Sequence, residues 1–296
     1  MRTLLIYNPT SGRAARTARL LPLLRAYAAG SSGAAAVAIT EGPGHATVLA
    51  RDAVAAGAER VVAVGGDGTL NETAQSLVGT PAALGLVPCG SGNGLARHLR
   101  LPAAPEKCLR LIAHGHPRVA SIDTGIADGR PFFNAMGFGL DAEVSRRFNR
   151  LRRRGLPAYA RTVWDAFRTQ RPERCTISNG TRRATLDLLL LAVANSDQYG
   201  NNAYIAPRAS VADGELDLVS VPPVPWMQVP LLIARLFSGS IDRTGGVEHW
   251  RGSHFRIERP APGLIHTDGE THAAAATFEV SVLPSSLRVL LPPPAP

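Results

Sequence analysis

Apolar and polar positions along this chain follow two rhythms, and the change comes near residue 120. In the first part, short apolar runs alternate with helix-spaced ones. LLIY (4–7), AAAVAIT (34–40), RVVAVGG (60–66) and AALGLVP (82–88) predict buried strands. SGRAARTARLLPLLRAYAA, HATVLARDAVAAG and LNETAQSLV carry apolar residues at helical spacing, with Ser11 as the cap of the first and Gly57 closing the second. GLARHLRL follows the loop CGSGN. Strands alternating with helices predict an α/β domain with a parallel sheet covered on both faces. Ligands bind beyond the carboxyl ends of the strands in such sheets. The loops NPTSG, TEGPG, GGDGT and GSGN all fall at those ends, which predicts one crevice.

Beyond residue 120, strand-like runs dominate: RVASIDTGIADG, RPFFNAMGFG, RCTISNG, RRATLDLLLLAVAN, GELDLVSVPP, HFRIERPAP, GLIHTDGE, ATFEVSVLP and SLRVLLP. Turn signals at Asp128-Gly129, Asn179-Gly180 and Asp213-Gly214 separate several of them. Two helical stretches interrupt, at 141–169 and 225–239. The pattern predicts a second, mainly antiparallel β-sandwich domain. The PPPAP end reads as a frayed tail, and no internal repeat is visible.

Composition narrows the class. The chain has 296 residues, 45% of them hydrophobic and 19% charged, which suits one or two globular domains with real cores. No apolar run reaches the roughly 18 residues that span a bilayer, and the start MRTLLIYNPTSG has no long apolar leader. Cys89, Cys108 and Cys175 are too few and too scattered for a disulfide framework or a zinc site, so they read as packing residues in a reducing cytoplasmic setting. Net charge is +9, carried by arginine apart from Lys107. A basic surface attracts nucleotides, nucleic acid or anionic headgroups. With no zinc-finger spacing and no aromatic-basic stretch, nucleic acid is not an expected partner.

The glycine loops carry the chemistry. GGDGT (65–69) ends a strand and opens a helix, where bare backbone lets a ligand approach and the helix offers free N–H groups. Asp67 in such a loop would repel bare phosphate, so it makes sense with Mg²⁺; the alternative is a tight turn with Asp67 as a cap. GSGN (90–93) repeats the logic, with Ser91 as a hydrogen-bond donor, and NPTSG (8–12) is a third small polar loop. There is neither a Walker A lysine nor a GxGxxG fingerprint.

VGGDGTLNE, NPTSG and LGLVPCGSGN together resemble the diacylglycerol kinase catalytic family, lipid kinases that include sphingosine and ceramide kinases. NAMGFGLDAEV, SVADGELDLV and HTDGE are similar to later segments of that family, in the family's order, so the likeness covers nearly the whole chain. The resemblance implies a nucleotide domain over 1–122, completed by 285–296, and a β-sandwich over 123–284, with Mg-ATP and a lipid hydroxyl bound between them. It implies nucleotide contacts from Asn8, Pro9, Thr10, Ser11, Gly12, Thr40, Gly65, Gly66, Asp67, Gly68, Thr69, Leu70, Asn71 and Ser91. It makes Glu270 the proton acceptor, with Asp268 beside it and Asp67 organising Mg-ATP. Asp213 would hold a structural Mg²⁺, assisted by main-chain oxygens near Ser210 and Glu215. Residue chemistry agrees in part: a carboxylate within reach can take the proton of an attacking hydroxyl, and Asp268 and Glu270 lie on one side if their segment is extended.

The chain departs from many diacylglycerol kinases at Gly94, where an Asp is common; GSGNGLA is closer to the sphingosine and ceramide kinase pattern. His266 and His272 flank DGE at a spacing that fits no standard zinc site and read as ordinary polar residues, and His114 and His116 as part of a turn. RRFNRLRRRG (146–155) is a solvated face or a dock for an anionic membrane. Leu156, Tyr159, Val163, Trp164 and Phe167 line a lipid entrance or belong to a core. The expectation is a cytoplasmic, membrane-visiting lipid kinase with diacylglycerol as first substrate, and a homodimer stays open. Its rivals are a sphingoid or ceramide kinase, an NAD kinase-like enzyme and a non-catalytic sensor.

Overall fold

Strands buried at every position belong in the middle of a covered parallel sheet, and the first part of the chain builds one. The computed structural model describes residues 2–12, 18–114, 117–149 and 156–293. They divide into two units, one of residues 1–122 with 285–296 and one of residues 123–284.

In the first unit, β1 (Thr3–Tyr7), β2 (Ala35–Ile39), β3 (Arg60–Gly65) and β4 (Ala83–Pro88) lie parallel in the order β2-β1-β3-β4. β1 and β4 are buried throughout, while the edge strand β2 is only half-buried. The helices α1 (Leu20–Gly30), α2 (His45–Ala55), α3 (Asp67–Gln75), α4 (Gly94–His98) and α5 (Pro105–His114) cover the sheet. Leu5, Tyr7, Leu24, Val62, Cys108 and Ile112 share one core. The strand-helix alternation predicted this architecture. Ser11 Oγ accepts the Gly66 N–H, and the segment Ser11 was expected to cap, 13–17, lies outside the described residues.

The second unit is the antiparallel part. Its elements, with β5 and β16 shared with the first unit, are β5 (Arg118–Ala127), β6 (Arg130–Phe132), β7 (Ala135–Gly139), α6 (Leu140–Asn149), α7 (Leu156–Phe167), β8 (Glu173–Ser178), β9 (Arg183–Leu188), β10 (Leu190–Ala194), β11 (Leu216–Val221), α8 (Val229–Ser238), β12 (Glu248–Gly252), β13 (His254–Glu258), β14 (Gly263–Thr267), β15 (Glu270–Ala274) and β16 (Thr277–Leu291). One sheet runs β12-β11-β10-β7-β14-β15, and β16, β13, β8 and β9 are successive neighbours in the other. Phe138 of the first sheet meets Phe278 of the second edge-on, with ring centroids 6.3 Å apart, inside a core that includes Trp250, Phe255 and Ile265.

Two readings change here. The 141–169 stretch is helical in α6 and α7, as expected, and residues 150–155 between them lie outside the described residues. ATFEVSVLP and SLRVLLP form a single strand, β16, which runs from the second unit into the first, where its Arg288 and Val289 pair in parallel with Ala83 and Leu84. RRATLDLLLLAVAN splits into β9 and β10 at Leu189.

Candidate active site

In the first unit the glycine loops are tied to one another by side chains. β3 ends at Gly65, where a Cβ would collide with the Thr69 side chain. Thr69 Oγ1 accepts from Asn8 Nδ2 at 2.9 Å, and Asn8 Oδ1 accepts from the Thr10 backbone N–H and hydroxyl at 3.0 and 2.8 Å. Ser11 Oγ accepts the Gly66 N–H at 3.2 Å. The 8–12 loop is thereby fastened to the 65–69 loop.

Asp67 fastens the third loop. Its Oδ2 accepts the Asn93 N–H at 2.9 Å and its Oδ1 the Gly94 N–H at 3.0 Å. These are first-turn donors of α4, which would otherwise lack partners. Asn93 enters α4 in the left-handed region (φ 51), and its side-chain amide donates to the Gly90 carbonyl. A Cβ at Gly92 would lie 2.7 Å from Asp67 Oδ2, and one at Gly90 would lie 3.0 Å from Gly66 Cα. Glycine here is a requirement of close approach. Burial raises the Asp67 carboxyl above the usual carboxylate range, against the lowering pull of the two N–H bonds and the Arg97 charge. Asp67 thus caps a helix, though it is α4 and not its own. A small pocket lies here, lined by Gly65, Gly66, Asp67, Pro88, Asn93 and Ala96.

The other nucleotide candidates divide by exposure. Pro9, Thr10, Gly12, Gly68 and Ser91 face solvent. Thr40, Leu70 and Asn71 are buried; Thr40 N–H donates to the Tyr7 carbonyl, and Asn71 Oδ1 accepts the Gln75 amide. Sequence reasoning missed Glu72. Its carboxylate accepts the N–H groups of Gly44 at 2.9 Å and Ala46 at 3.1 Å, so it holds the TEGPG loop to α3.

In the second unit the DGE segment is a hairpin. Thr267 pairs with Glu270, and the turn residues Asp268 (φ 50) and Gly269 (φ 87) both take positive φ. The segment is therefore not extended, and Asp268 and Glu270 do not share a side on that ground. The Asp268 carboxylate accepts the N–H groups of Phe133 (2.8 Å), Asn134 (2.8 Å) and Ala135 (3.1 Å). Both oxygens anchor the turn to the start of β7. Glu270 is exposed at the first position of β15.

Beneath the turn lies a buried polar group that sequence reasoning passed over. His266 is 2% exposed. Its Nε2 stands 2.9 Å from Asp141 Oδ2, which also accepts the Tyr199 hydroxyl at 2.5 Å. His266 Nδ1 accepts the Gly269 N–H at 3.2 Å. Burial pushes the His266 imidazolium down, but the Asp141 carboxylate, aided by Asp268, more than reverses it, so its pKa lies above the ordinary histidine value. Gly137 makes room for the cluster, because a Cβ there would lie 2.9 Å from His266 Nε2 and 2.8 Å from the Leu191 carbonyl. His266 is thus not an ordinary surface histidine. His272, its neighbour in DGE, contacts Thr267 Oγ1 at 3.0 Å, and burial lowers its pKa.

The residues implied for a structural Mg²⁺ already hold a cation. Arg251 Nη2 reaches Asp213 Oδ2 and, at 2.9 Å, Glu215 Oε2. Asp213 Oδ1 accepts the Glu215 N–H at 3.2 Å, and Ser210 Oγ accepts the Ala212 N–H at 3.4 Å. Among the described residues no group of three or more His, Cys, Asp or Glu could hold a metal ion. The cation that faces Asp213 and Glu215 in this structure is the Arg251 guanidinium. Asp213-Gly214 ends the long connection between the antiparallel partners β10 and β11, and Asp123 Oδ2 accepts the Gly214 N–H at 2.8 Å.

Residues 150–155 of the arginine run, His116, and the side chains of His114, Leu156 and Tyr159 lie outside the described residues. Val163 and Phe167 pack against Leu140, Val144 and Ala166 in a core, while Trp164 is exposed. The three cysteines form no disulfide among the described residues, and burial pushes the Cys108 and Cys175 thiols up to about 12.

Comparison with known proteins fits this geometry. The model of the diacylglycerol kinase catalytic domain matches residues 2–124, and that of the YegS C-terminal NAD kinase beta sandwich-like domain matches 134–291. The chain belongs to the lipid kinase family that joins a diacylglycerol kinase catalytic domain to a YegS C-terminal domain. This kinase is 29% identical over 266 residues to a "Probable lipid kinase YegS-like" of Serratia proteamaculans, covering 87% of the chain and 84% of the relative. It is equally 29% identical to a "Diacylglycerol kinase" of Mycobacterium tuberculosis, covering 86% and 84%. A crystal structure described as a diacylglycerol kinase from Bacillus anthracis str. Sterne shares the lipid kinase fold with a TM-score of 0.73 at 19% identity, covering 99% of this chain and 97% of that one. A second structure from that organism gives 0.80 at 21%, covering 99% and 95%. No helix among the described residues is long and apolar enough to cross a membrane.

Proposed function

We propose that this lipid kinase transfers the γ-phosphoryl group of ATP to the hydroxyl of diacylglycerol. The observation that carries the reading is the fastening of three small-residue loops around Asp67 in a chain of this family. Phosphoryl transfer asks for positioning and charge neutralisation more than covalent chemistry. Loops tied at Asn8–Thr69, Ser11–Gly66 and Asp67–Gly94 are held before a ligand arrives. Exposed Thr10, Gly68 and Ser91 are the groups on those loops open to a phosphate. Mg²⁺ would come with the nucleotide and supply charge neutralisation. Asp67 acts on it indirectly, by fixing the loops.

In the second unit, Glu270 accepts the proton of the attacking lipid hydroxyl. It is an exposed carboxylate at the end of a two-residue turn that Asp268 and His266 hold from below. Such a base contributes roughly 10²–10⁴ in rate. The substrate is a lipid, so the enzyme works as a peripheral protein at an anionic membrane from the cytoplasmic side.

Gly94 favours a second reading, a sphingoid base or ceramide kinase. It is buried, and its N–H is committed to Asp67. Transfer of labelled γ-phosphate from Mg-ATP to diacylglycerol, sphingosine, ceramide, undecaprenol and NAD tests both. Labelled phosphatidic acid supports the first reading and a labelled sphingolipid the second. Labelled NADP would replace both with a soluble-substrate kinase.

A further inference from the structure

The most exposed large apolar side chains of the second unit stand together, next to no catalytic candidate. Trp226 is 65% exposed, Met227 69% and Leu231 52%. From Val221 to Ala234 the only polar side chain is Gln228, and no Asp or Glu occurs from 218 to 241. Four prolines, at 222, 223, 225 and 230, stiffen the segment. A 3₁₀ turn, Trp226–Gln228, runs directly into α8.

α8 already has a buried face. Val229 is buried, and Leu232 and Leu236 pack against the core of Ala192, Val219 and Ile241. Positions 229, 232 and 236 share one side of the helix. Its outward side should then carry polar residues, but Pro230, Leu231 and Ala234 are exposed there, with Trp226 and Met227 in the turn just before it. Single exposed apolar residues are ordinary, whereas a contiguous group marks a surface that something covers.

The far end of the helix indicates what covers it. Arg235 Nη1 donates to the Arg243 carbonyl at 3.0 Å, and Arg208, also exposed, lies 3.7 Å from Asp242. Three arginines against one aspartate leave that end positive. A rigid apolar tip bearing an exposed tryptophan, with cations further along, matches the layering of a bilayer surface. Tryptophan favours the headgroup level, and basic residues favour anionic lipid.

We infer that the segment Trp226–Leu231 is a membrane-docking surface that inserts into an anionic bilayer, with Arg235, Arg243 and Arg208 facing its headgroups. The inference rests on the lipid kinase reading for its purpose, but its test does not. Wild type and Trp226→Ser/Met227→Ser are sedimented with vesicles of phosphatidylcholine and phosphatidylglycerol, and turnover is followed separately on detergent-dispersed diacylglycerol. Both side chains are exposed, so the variant keeps its fold, and Leu231→Ser serves as an independent variant. The expected result is a loss of vesicle affinity of about tenfold or more with dispersed turnover unchanged. If wild type fails to sediment, or the variants sediment equally well, the inference is overturned. It is also overturned if the substitutions abolish a dimer in solution and leave sedimentation unchanged, because the surface would then meet a second copy. Absence of turnover on dispersed lipid by wild type would instead count against the kinase assignment alone.

Discussion

The Asp67 carboxylate takes the N–H of Gly94 at 3.0 Å, so the acid of one glycine loop closes the helix that follows another. Asp67 is therefore a positioning group, and its length should matter as much as its charge. Asp67→Glu keeps the charge but overshoots Asn93 and Gly94; Asp67→Ala leaves both donors without acceptor. Both variants should weaken ATP binding, with KM for ATP rising by about tenfold or more, as for loss of charge-assisted bonds. Titration calorimetry with ATP checks this. A Glu variant with wild-type ATP affinity would return Asp67 to a role set by charge alone.

Asp268 and Glu270, two apart in sequence, should behave oppositely. Asp268 holds three backbone donors, and each donor left unsatisfied costs about 1–3 kcal/mol. Asp268→Ala should lose about 3 kcal/mol or more of stability in denaturant unfolding, while Glu270→Gln, at an exposed site, should lose almost none. Equal stability of the two variants would undo the anchor assignment.

His266 has a folded pKa above its ordinary value of about 6.5. A raised folded pKa gives stability that is fully present below the unfolded value and is lost as pH rises through the folded one. Asp141→Asn removes the charge that raises it. The stability difference between wild type and this variant should be largest below about pH 6 and shrink above neutrality. The lost Tyr199 bond contributes a constant offset. Thermal unfolding across pH measures the profile, and a difference that grows with pH would contradict it.

Metal removal is the fourth test. Arg251 already neutralises Asp213 and Glu215, so chelation with EDTA should leave the unfolding temperature of the free protein unchanged. A fall of several degrees, restored by Mg²⁺, would show that the 210–215 loop holds a metal after all.

Local features were legible in the sequence, and distant pairings were not. The glycine loops could be placed because each lies between an apolar run and a helical pattern, within a few residues. The partner of Asp67 lies 26 and 27 residues away, that of Asp213 38, and that of Asp268 up to 135. No spacing rule reaches so far. The Asp268–Gly269 turn was legible as Asp-Gly, a strong hairpin signal, whereas the placement of Asp268 and Glu270 on one side held only for an extended segment. His266 looked ordinary because its burial depends on Asp141, Tyr199 and the missing side chain at Gly137. β16 read as two strands because Pro284 and two serines interrupt its apolar alternation.

The central claim is that Glu270 takes the proton from a lipid hydroxyl as ATP is consumed. The most direct measurement compares wild type with Glu270→Gln, following labelled phosphate transfer to diacylglycerol and ATP affinity on the same preparations. The account predicts a kcat lower by about 10²–10⁴ with ATP affinity unchanged. Full turnover by the variant, or a loss confined to ATP binding, would contradict it.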